Sequence, residues 1–544
     1  MVEWLSGSAA EWSNEPVTAR SVVVVGAGLG GLAAAIRLQA SGHQVTLLEK
    51  RALVGGRAGQ LREDGYTFDT GPSIITAPDL LEELWAAAGA DLHADVTLVP
   101  LTPYYRIYFG DGRFFDYGGP PEQVAAEIRK FAPADQRGYE RFMDRTRHIY
   151  RRAFQDLAGQ SFHRLATFLR VVPELARLNA GRSVYSFVSG HFSHPYLRMA
   201  FSFHPLFIGG NPFRASLIYA IVPFLEREGG VHFSMGGTYA LVTAMRALFE
   251  RLGGTVRTST AAAEVLVDDA DRACGVRLVN GEAVVADAVV LNADVATAYM
   301  TLVPPRLRRR LTDRRLRSHG YSMSCFLLYL GLDRQYDKLR HHTIVMSDRY
   351  RGLLGDIFDG QGLPRDFSLY LHAPSKSDPS MAPPGGESLY VLAPVPHLGH
   401  GVDWEREAGP LRDRIVQFLE HDFGLEGLSE AIRFERRYTP LDFRDDLSSY
   451  LGSAFSIEPT LLQSAWLRPH NVSEDVPNLY LVGAGTHPGA GLPGVLLSAR
   501  ITAGLVNDAF AAAAGRTGRA PSSRWRRAQP RARHAPTPAP ASRT

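Results

Sequence analysis

Residues 21–57 read SVVVVGAGLGGLAAAIRLQASGHQVTLLEKRALVGGR, and this stretch decides the fold. An apolar run at 21–25 leads into a glycine-rich turn, and a helical pattern then continues to Gly42. A second apolar run, 45–48, ends on Glu49. The order of strand, turn, helix and strand predicts a parallel βαβ unit whose helix N-terminus faces a bound anion.

The glycines of the turn match the pattern G-x-G-x-x-G at Gly26, Gly28 and Gly31. The first permits the tight turn, the second lets the backbone approach a pyrophosphate, and the third lets the helix pack closely on the strand. Glu49 follows 18 residues after Gly31, near the spacing at which a carboxylate binds the ribose of adenosine. A purely structural βαβ unit is the alternative, but turn, helix and terminal acid together favour dinucleotide binding.

The residues beyond Glu49 favour a flavin dinucleotide over a nicotinamide one. Gly55, Gly56 and Arg57 follow after a short gap, and FDTGPS follows at 68–73. FAD in its extended form passes its pyrophosphate and ribityl chain back along such a loop, and Arg57 would place positive charge near the phosphates. An ordinary glycine turn with a solvated arginine is the alternative.

Composition excludes several classes of protein. The 544 residues are 45% hydrophobic and 21% charged, which is typical of a globular protein with a large core. The net charge is +3, but residues 516–544 hold eight arginines and no other charged side chain, so the remainder carries −5. The basic character is confined to one end, and no nucleic-acid partner is expected.

The sequence predicts a cytoplasmic protein without a metal. Two cysteines, Cys274 and Cys325, stand far apart without metal-ligand spacing, and a reducing compartment fits them. Residues 1–20 are polar and contain three glutamates, unlike a secretory signal. No 18 apolar residues run uninterrupted, so no membrane-spanning helix is predicted.

The rest of the chain predicts a second domain inserted into the dinucleotide-binding one. Short strand-like pieces at 96–117 mark its start, and helical patterns follow to about residue 227. The most apolar part, 204–225, is too broken by proline and glycine to span a bilayer, but it could line an apolar tunnel or dock on a membrane surface. A buried helical layer is the alternative. The predicted division is a flexible N-terminus (1–20), a FAD-binding domain (21–95, 230–300 and 475–512), a substrate domain of mixed sheet and apolar helices (96–229 and 301–474) and a disordered basic tail (513–544).

Residues 478–498, NLYLVGAGTHPGAGLPGVLLS, are a strand, a glycine-rich crossing and the start of a helix. This segment resembles the C-terminal signature of the bacterial and fungal carotenoid desaturases, the phytoene desaturase family. FSLYLH at 367–372, YVLAPVPHLG at 390–399, SAWLRPH at 464–470 and the stretch 204–238 are similar to further blocks of that family. The likeness covers about 21–510. Residues and spacing alone indicate only a FAD-binding oxidoreductase with an apolar second domain.

The resemblance implies an α/β fold with a Rossmann-type FAD-binding domain, like that of monoamine oxidase and of GDP-dissociation inhibitors. It also implies FAD-dependent desaturation of 15-cis-phytoene by hydride transfer, giving lycopene or a partly desaturated carotene such as neurosporene. The alternatives are desaturation of another carotenoid or a C30 polyene, oxidation of an amine, and isoprenoid binding without catalysis. An amine oxidase usually carries an acid near the position of Gly485 and an aromatic cage, and neither is evident here. The glycine pair before Arg57 argues against a binder that has lost its flavin.

The motifs and the resemblance together predict which residues hold FAD. They are Gly26, Ala27, Gly28, Gly31, Glu49, Lys50, Gly56, Arg57, Gly71, Pro72, Ser73, Val265, Asn292, Gly485, Thr486, Gly494 and Val495. His487, inside the signature, could face the flavin or fix the backbone at the crossing.

The acid–base residues are predicted on weaker grounds. Asp144 and Arg147 stand at i and i+3 on the predicted helix 137–154, so they share one face, and the resemblance places this helix near the flavin end of the substrate region. Asp144 would accept the proton and Arg147 would hold it. A surface ion pair on a charged helix is the alternative, and the residues by themselves favour it.

The expected partners follow from the polyene substrate. A C40 hydrocarbon dissolves in the bilayer, so we expect peripheral membrane contact, with the arginine-rich tail attracted to anionic lipid. The final electron acceptor is expected to be oxygen or a membrane quinone.

Overall fold

The computed structural model of the protein describes residues 19–516. The strands are β1 (Ser21–Val25), β2 (Gln44–Leu48), β3 (Gln60–Glu63), β4 (Tyr66–Asp69), β5 (Leu98–Pro100), β6 (Tyr105–Tyr108), β7 (Phe114–Tyr117), β8 (His232–Ser234), β9 (Thr255–Arg257), β10 (Ala262–Val267), β11 (Ala273–Leu278), β12 (Ala283–Val285), β13 (Ala288–Leu291), β14 (Ser324–Leu332), β15 (His342–Val345), β16 (Leu369–His372), β17 (Glu387–Val395), β18 (Ile432–Tyr438) and β19 (Leu479–Leu481).

The α-helices alternate with these strands in the first part of the chain and fill most of the region between β7 and β8. They are α1 (Leu29–Ala40), α2 (Pro78–Ala87), α3 (Leu92–Asp95), α4 (Pro121–Phe131), α5 (Gln136–Ile149), α6 (Leu165–Arg177), α7 (Val184–Ser189), α8 (Pro195–Ser202), α9 (Val222–Gly229), α10 (Thr238–Arg251), α11 (Val295–Leu302), α12 (Asp313–Ser318), α13 (Tyr350–Asp359), α14 (Trp404–Gln417), α15 (Leu428–Ala431), α16 (Pro440–Asp445) and α17 (Leu492–Arg516). A π-helix, Tyr150–Leu157, continues α5.

A five-stranded sheet carries the glycine-rich turn. Its order is β19-β13-β1-β2-β9, and every neighbouring pair is parallel. The valines of β1 are buried between β13 and β2, as expected of a central strand covered on both faces. All five carboxyl ends therefore lie at one edge, where doubly wound sheets bind their ligands.

Helix α1 packs tightly because its residues are small. Ala33, Ala34 and Ala35 are fully buried, and α10 and α17 both contact the helix. A Cβ on Gly31 would lie 2.1 Å from the carbonyl oxygen of Gly26, so only glycine lets the first turn of α1 sit this close to β1.

A second, seven-stranded sheet has the order β18-β14-β17-β16-β15-β6-β7. Its neighbours are antiparallel except β15 and β6. Strand β14 is buried along all nine residues, which explains its unbroken apolar sequence. Smaller sheets pair β10-β11-β12, β3-β4 and β5-β8.

The two large sheets agree with the fold class predicted from the sequence. The strands of the parallel sheet lie within 21–95, 230–300 and 475–512, and those of the seven-stranded sheet within 96–229 and 301–474. The pairing of β5 with β8 joins the two predicted regions at the points where the chain crosses between them. The predicted flexible N-terminus and basic tail lie almost entirely outside the described residues, except that α17 continues to Arg516.

Helix α17 corrects one expectation about membrane segments. Residues Leu492–Ala514 are long and apolar enough to cross a membrane by length and composition, although none was predicted. However, Leu496, Leu497 and Val506 of this helix are buried in the protein. Its apolar character is thus accounted for by packing on α1 and on the wall of the cavity described below.

Candidate functional site

One cavity of about 670 Å³ connects the carboxyl edge of the parallel sheet with the seven-stranded sheet. At its first end lie the glycine-rich turn, Glu49 and Arg57. At its other end the wall is mainly apolar and aromatic. That wall includes Phe154, Leu157, Phe162, Val171, Leu175, Phe203, Leu206, Phe207, Ile208, Ile218, Tyr219, Ile221, Val222, Leu225, Met323, Ile344, Met346 and Leu369.

Asn292 braces the glycine-rich turn from the end of β13. Its Nδ2 donates to the carbonyl oxygen of Gly26 at 3.1 Å. A Cβ on Gly30, Gly31 or Gly483 would lie 2.7–2.9 Å from the amide atoms of this side chain. The glycines of two distant motifs thus make room for one asparagine, which holds the turn in shape.

Glu49 closes the first end of the cavity. It is buried, and its two carboxylate oxygens accept hydrogen bonds from the backbone N–H groups of Ala27 (2.8 Å) and Arg51 (3.0 Å). This places an acceptor-only group at the tip of β2, where the sequence predicts the ribose hydroxyls to bind.

Arg57 reaches the cavity from the glycine pair. Its Nη2 donates to Ser449 Oγ at 2.7 Å, whereas its Nε is buried and has no hydrogen-bond partner. Burial lowers the pKa of Arg57, and the negative charge of Asp294 opposes this shift. The guanidinium therefore retains a free donor, as a phosphate-binding residue requires.

The sequence analysis did not include the loop after α16. Asp446, Leu447 and Ser448 line the cavity, and Lys50 Nζ donates to Ser448 Oγ at 2.8 Å. No local motif marks this loop, because it meets Lys50 only across the tertiary fold.

The glycine-rich crossing before α17 depends on Arg468, which is 1% exposed. Its guanidinium donates to four carbonyl oxygens, those of Thr486 (3.1 Å), Gln463 (3.1 Å), Ile457 (2.9 Å) and Ala484 (2.7 Å). Among residues 19–516 no carboxylate forms an ion pair with Arg468, and its partners are backbone carbonyl groups. The sequence analysis quoted Arg468 only as part of a family block and assigned it no role.

Most of the predicted FAD residues line the cavity. They are Gly26, Gly28, Glu49, Lys50, Gly56, Arg57, Gly71, Pro72, Ser73, Asn292, Gly485, Gly494 and Val495. Ala27 and Gly31 shape the turn from behind, through the contacts given above.

Two predicted FAD residues do not line the cavity. The side chain of Val265, on β10, is buried in the hydrophobic core, and Thr260, Ala261 and Ala262 line the cavity nearby in the sequence. Thr486 is also buried, and its Oγ1 donates to the carbonyl oxygen of Gly483. Contact of these two residues with FAD stays a prediction.

His487 lies on the cavity wall, as one of its two predicted roles requires. Burial, together with the positive charge of Arg468, lowers the pKa of His487 to about 3. The imidazole is therefore neutral at ordinary pH.

At the apolar end, Glu226 and His204 form a buried polar pair. Both line the cavity, and Glu226 is 0% exposed. Glu226 Oε1 accepts a hydrogen bond from the hydroxyl of Tyr105 at 2.5 Å, while Oε2 lies 3.4 Å from His204 Nε2. Oε2 and both ring nitrogens of His204 have no hydrogen-bond partner. Burial raises the pKa of Tyr105 well above its usual range, and the charge of Glu226 adds to this.

The sequence analysis missed this pair. Glu226 stands beside Arg227 and Glu228 near the end of α9, which is typical of a solvated helix end. Tyr105 is 121 residues away in β6. No spacing rule connects them.

Asp144 and Arg147 lie on the surface, which corrects their expected location. They form the predicted ion pair at 3.4 Å on α5, but the Asp144 side chain is 73% exposed. Neither residue lines the cavity. The described geometry thus supports the surface ion pair and not contact with a substrate.

Three buried histidines converge beside the cavity, although no metal site was predicted. One ring nitrogen from each of His341, His342 and His372 lies within 4.8 Å of the others. Hydroxyl groups hold two of the rings: Ser377 Oγ lies 2.7 Å from His341 Nδ1, and Tyr370 OH lies 2.7 Å from His342 Nδ1. Burial lowers the pKa of His341 to about 3. The cluster contains no carboxylate or thiolate to balance a dication.

The match to a protein family decides the identity. The family described as flavin containing amine oxidoreductase matches residues 29–507. The chain belongs to this family. The chain is 47% identical over 488 residues to a lycopene-forming phytoene desaturase of Pantoea ananas, with 90% of this chain and 99% of the relative covered. It is 44% identical over 492 residues to a neurosporene-forming phytoene desaturase of Cereibacter sphaeroides, covering 90% and 94%.

Solved structures of the same fold are more distant. Putrescine oxidase bound to putrescine has a TM-score of 0.59 at 16% identity, covering 90% of this chain and 99% of that chain. The Rab GDI of Plasmodium falciparum has a TM-score of 0.51 at 10% identity, covering 85% and 92%. These likenesses show the fold that the sequence analysis predicted.

The first end of the cavity fits FAD. The protein offers glycine backbone where a phosphate must come close, the acceptor Glu49 for a ribose, and the free Nε of Arg57. These groups are polar or charged, whereas the wall at the other end is apolar. The first end therefore suits the dinucleotide and the other end suits an apolar molecule.

Proposed function

We propose that the protein is a FAD-dependent phytoene desaturase that converts 15-cis-phytoene to lycopene or neurosporene. The proposal rests on the continuity of the cavity, whose dinucleotide-binding end opens directly into its apolar end (the apolar chamber). Five relatives are 43–47% identical to this chain over 90–91% of its length, and they are phytoene desaturases that form these two products.

A hydrocarbon substrate is bound by burial alone, because it has no group that forms hydrogen bonds. Removing apolar surface from water contributes roughly 25 cal/mol per Å², so a long polyene is held by the many apolar residues of the chamber. Bound FAD supplies the two-electron acceptor for the hydride that leaves the substrate. The chain itself positions the polyene, excludes water and handles the proton.

Conversion of phytoene by the purified protein tests the proposal. Flavin-loaded protein mixed with liposomes that contain 15-cis-phytoene is expected to yield lycopene or neurosporene on a chromatogram. Anaerobic assays with and without a quinone distinguish oxygen from quinone as the final acceptor. Turnover of a C30 diapophytoene or of putrescine instead, with phytoene unchanged, would contradict the assignment.

Helix α6 supports a peripheral location on the cytoplasmic side of a membrane. Val171 and Leu175 of this helix line the cavity, whereas Leu165, Leu169 and Val172 are exposed. An apolar helix face that is open to solvent next to an apolar cavity suits a lipid surface. The polyene would then enter from the bilayer without crossing water.

Segment 204–225, which could line a tunnel or dock on a membrane, lies mostly in the protein interior. Leu217, Ala220, Phe224 and Leu225 are buried, and several residues of this stretch line the chamber. The segment therefore supplies the tunnel wall that was one of its predicted roles, and the exposed apolar face belongs to α6.

Liposome flotation tests the role of α6. We expect the triple variant Leu165→Ser, Leu169→Ser, Val172→Ser to stay in the soluble fraction with its flavin retained, because the apolar area available for insertion is lost. The matched control is Val279→Ser with Val285→Ser, two valines that are 72% and 73% exposed on the small sheet of β10–β12. Equal flotation of the α6 variant and the wild type would exclude this docking face.

A further inference from the structure

We infer that Glu226 is the catalytic base of the desaturation, accepting the proton that the polyene loses, with His204 as its neighbour in proton transfer. This inference rests on the proposed function. It assigns the proton step to a buried pair on the cavity wall in place of the exposed Asp144.

The other carboxylates of the cavity wall have different partners. Among the described residues, Glu49, Asp294 and Asp446 also line the cavity. Glu49 is held by two backbone N–H groups at the dinucleotide end. Asp294 caps α11 through Oδ1, which accepts from the backbone N–H of Ala296, while its Oδ2 is buried without a hydrogen-bond partner at the cofactor end, where its charge acts on Arg57. Asp446 lies in the loop whose Ser448 accepts from Lys50. Glu226 alone among these four lies with the apolar residues of α9.

Only one of the two oxygens of Glu226, Oε2, has no hydrogen-bond donor. Oε1 is occupied by the Tyr105 hydroxyl, which fixes the orientation of the carboxyl group. Oε2 is buried and has no hydrogen-bond partner, and His204 stands 3.4 Å away, also without one. A buried polar group without a partner costs free energy, so its retention in an otherwise apolar wall indicates a role in binding or reaction.

The proton step balances with this pair. After hydride loss, the substrate is an allylic cation. The C–H bond on the neighbouring carbon breaks, its electron pair forms the new double bond, and its proton passes to Oε2 of Glu226, which becomes a neutral carboxyl group. That proton then passes to His204 Nε2, 3.4 Å away, which restores the carboxylate, and the imidazolium releases it to water when the product leaves, before the next desaturation. A negative charge here also stabilises the cation in a region of low dielectric constant.

Two measurements on Glu226→Gln test the inference. The amide keeps the size of the side chain and can still accept from Tyr105, but it removes the charge and the base. Because an allylic cation loses its proton readily, we expect the rate of phytoene conversion at equal flavin content to fall about 10²-fold, the low end of the range for general bases. A C20 isoprenoid chain carrying a tertiary ammonium group imitates the cation, and its binding is expected to weaken at least about 10-fold.

Control variants separate charge from structure. Glu387→Gln alters another fully buried glutamate that lies outside the cavity and pairs with Lys376, and its rate and ammonium binding are expected to match the wild type within about threefold. Glu226→Asp keeps the charge and is expected to restore most of the ammonium binding, which a purely structural defect would not allow.

The possible outcomes discriminate between the two proposals. If the wild type converts phytoene and Glu226→Gln does so at the same rate, the role of Glu226 is wrong while the desaturase function stands. A loss of rate in Asp144→Asn, with Glu226→Gln unaffected, would return the role to Asp144. If the wild type leaves phytoene unchanged, the proposed function is wrong. In that case, equal binding of the ammonium compound by the wild type and by Glu226→Gln would show that the role of Glu226 is wrong as well.

Discussion

Glu49→Arg is expected to abolish retention of FAD. The substitution removes the acceptor at the tip of β2 and places a cation beside Lys50 and Arg51, where the cavity is already basic. It also breaks the two hydrogen bonds that the carboxylate accepts from Ala27 and Arg51. Each hydrogen bond that the carboxylate would accept from a ribose hydroxyl is worth about 1.5–3 kcal/mol, so loss of these bonds should weaken FAD binding by several kcal/mol.

The measurement is the flavin absorbance that remains after gel filtration, followed by titration of the apoprotein with FAD. Glu63→Arg is the control, because it introduces the same change on an exposed glutamate of β3. Glu49→Gln should bind more weakly than the wild type but more tightly than Glu49→Arg. A Glu49→Arg protein with stoichiometric flavin and unchanged activity would show that Glu49 does not bind the cofactor.

Arg468→Met is expected to destabilise the protein and to release the flavin. The methionine fills the volume but leaves four carbonyl oxygens without their donor, two of them buried (Ile457 and Thr486) and two partly buried (Gln463 and Ala484). Because unsatisfied buried groups cost about 1–3 kcal/mol each, we expect the free energy of unfolding to fall by about 3–5 kcal/mol after partial relaxation. Ala484 and its neighbour Gly485 line the cavity, so the cofactor site should loosen with them.

Thermal unfolding with and without added FAD measures this effect. Arg468→Lys is expected to fall between the wild type and Arg468→Met, since one ammonium group has three donors and cannot reach all four carbonyls in the planar geometry of a guanidinium. Arg433→Met is the control, because Arg433 is a largely exposed arginine paired with Asp333. Wild-type Tm and flavin content in Arg468→Met would contradict a role for Arg468 in holding the crossing.

The parallel βαβ unit could be predicted from the sequence because its determinants are local. The valine run of β1, the glycine spacing and the acid at the tip of β2 all lie within the single segment 21–49, where Glu49 accepts from Ala27. The turn at Asn280 and Gly281 between β11 and β12 is likewise local, because an Asn-Gly pair favours a tight hairpin turn. Nearly all residues at the cofactor end of the cavity could therefore be predicted from local motifs.

Contacts between distant segments account for what the sequence analysis missed. Asn292 was predicted to bind FAD, but only the fold shows that it braces glycines from two motifs. The three histidines meet because β15 and β16 pair as neighbours in the sheet. Helix spacing predicted only that Asp144 and Arg147 share a face, and the family resemblance placed that helix near the substrate. Neither tells whether the face is buried, and the Asp144 side chain is 73% exposed.

The sequence alone predicted the dinucleotide-binding fold and the residues at the cofactor end of the cavity. Through its resemblance to a family it also predicted the class of reaction. Tertiary structure alone decided which carboxylate faces the apolar chamber and which helix face is open to a membrane. The physical reason is that backbone conformation depends on neighbouring residues, whereas the burial of Glu226 or the exposure of Leu169 depends on what other segments cover. Glu226 and Glu228 stand two residues apart on α9, yet only Glu226 is enclosed by the rest of the chain.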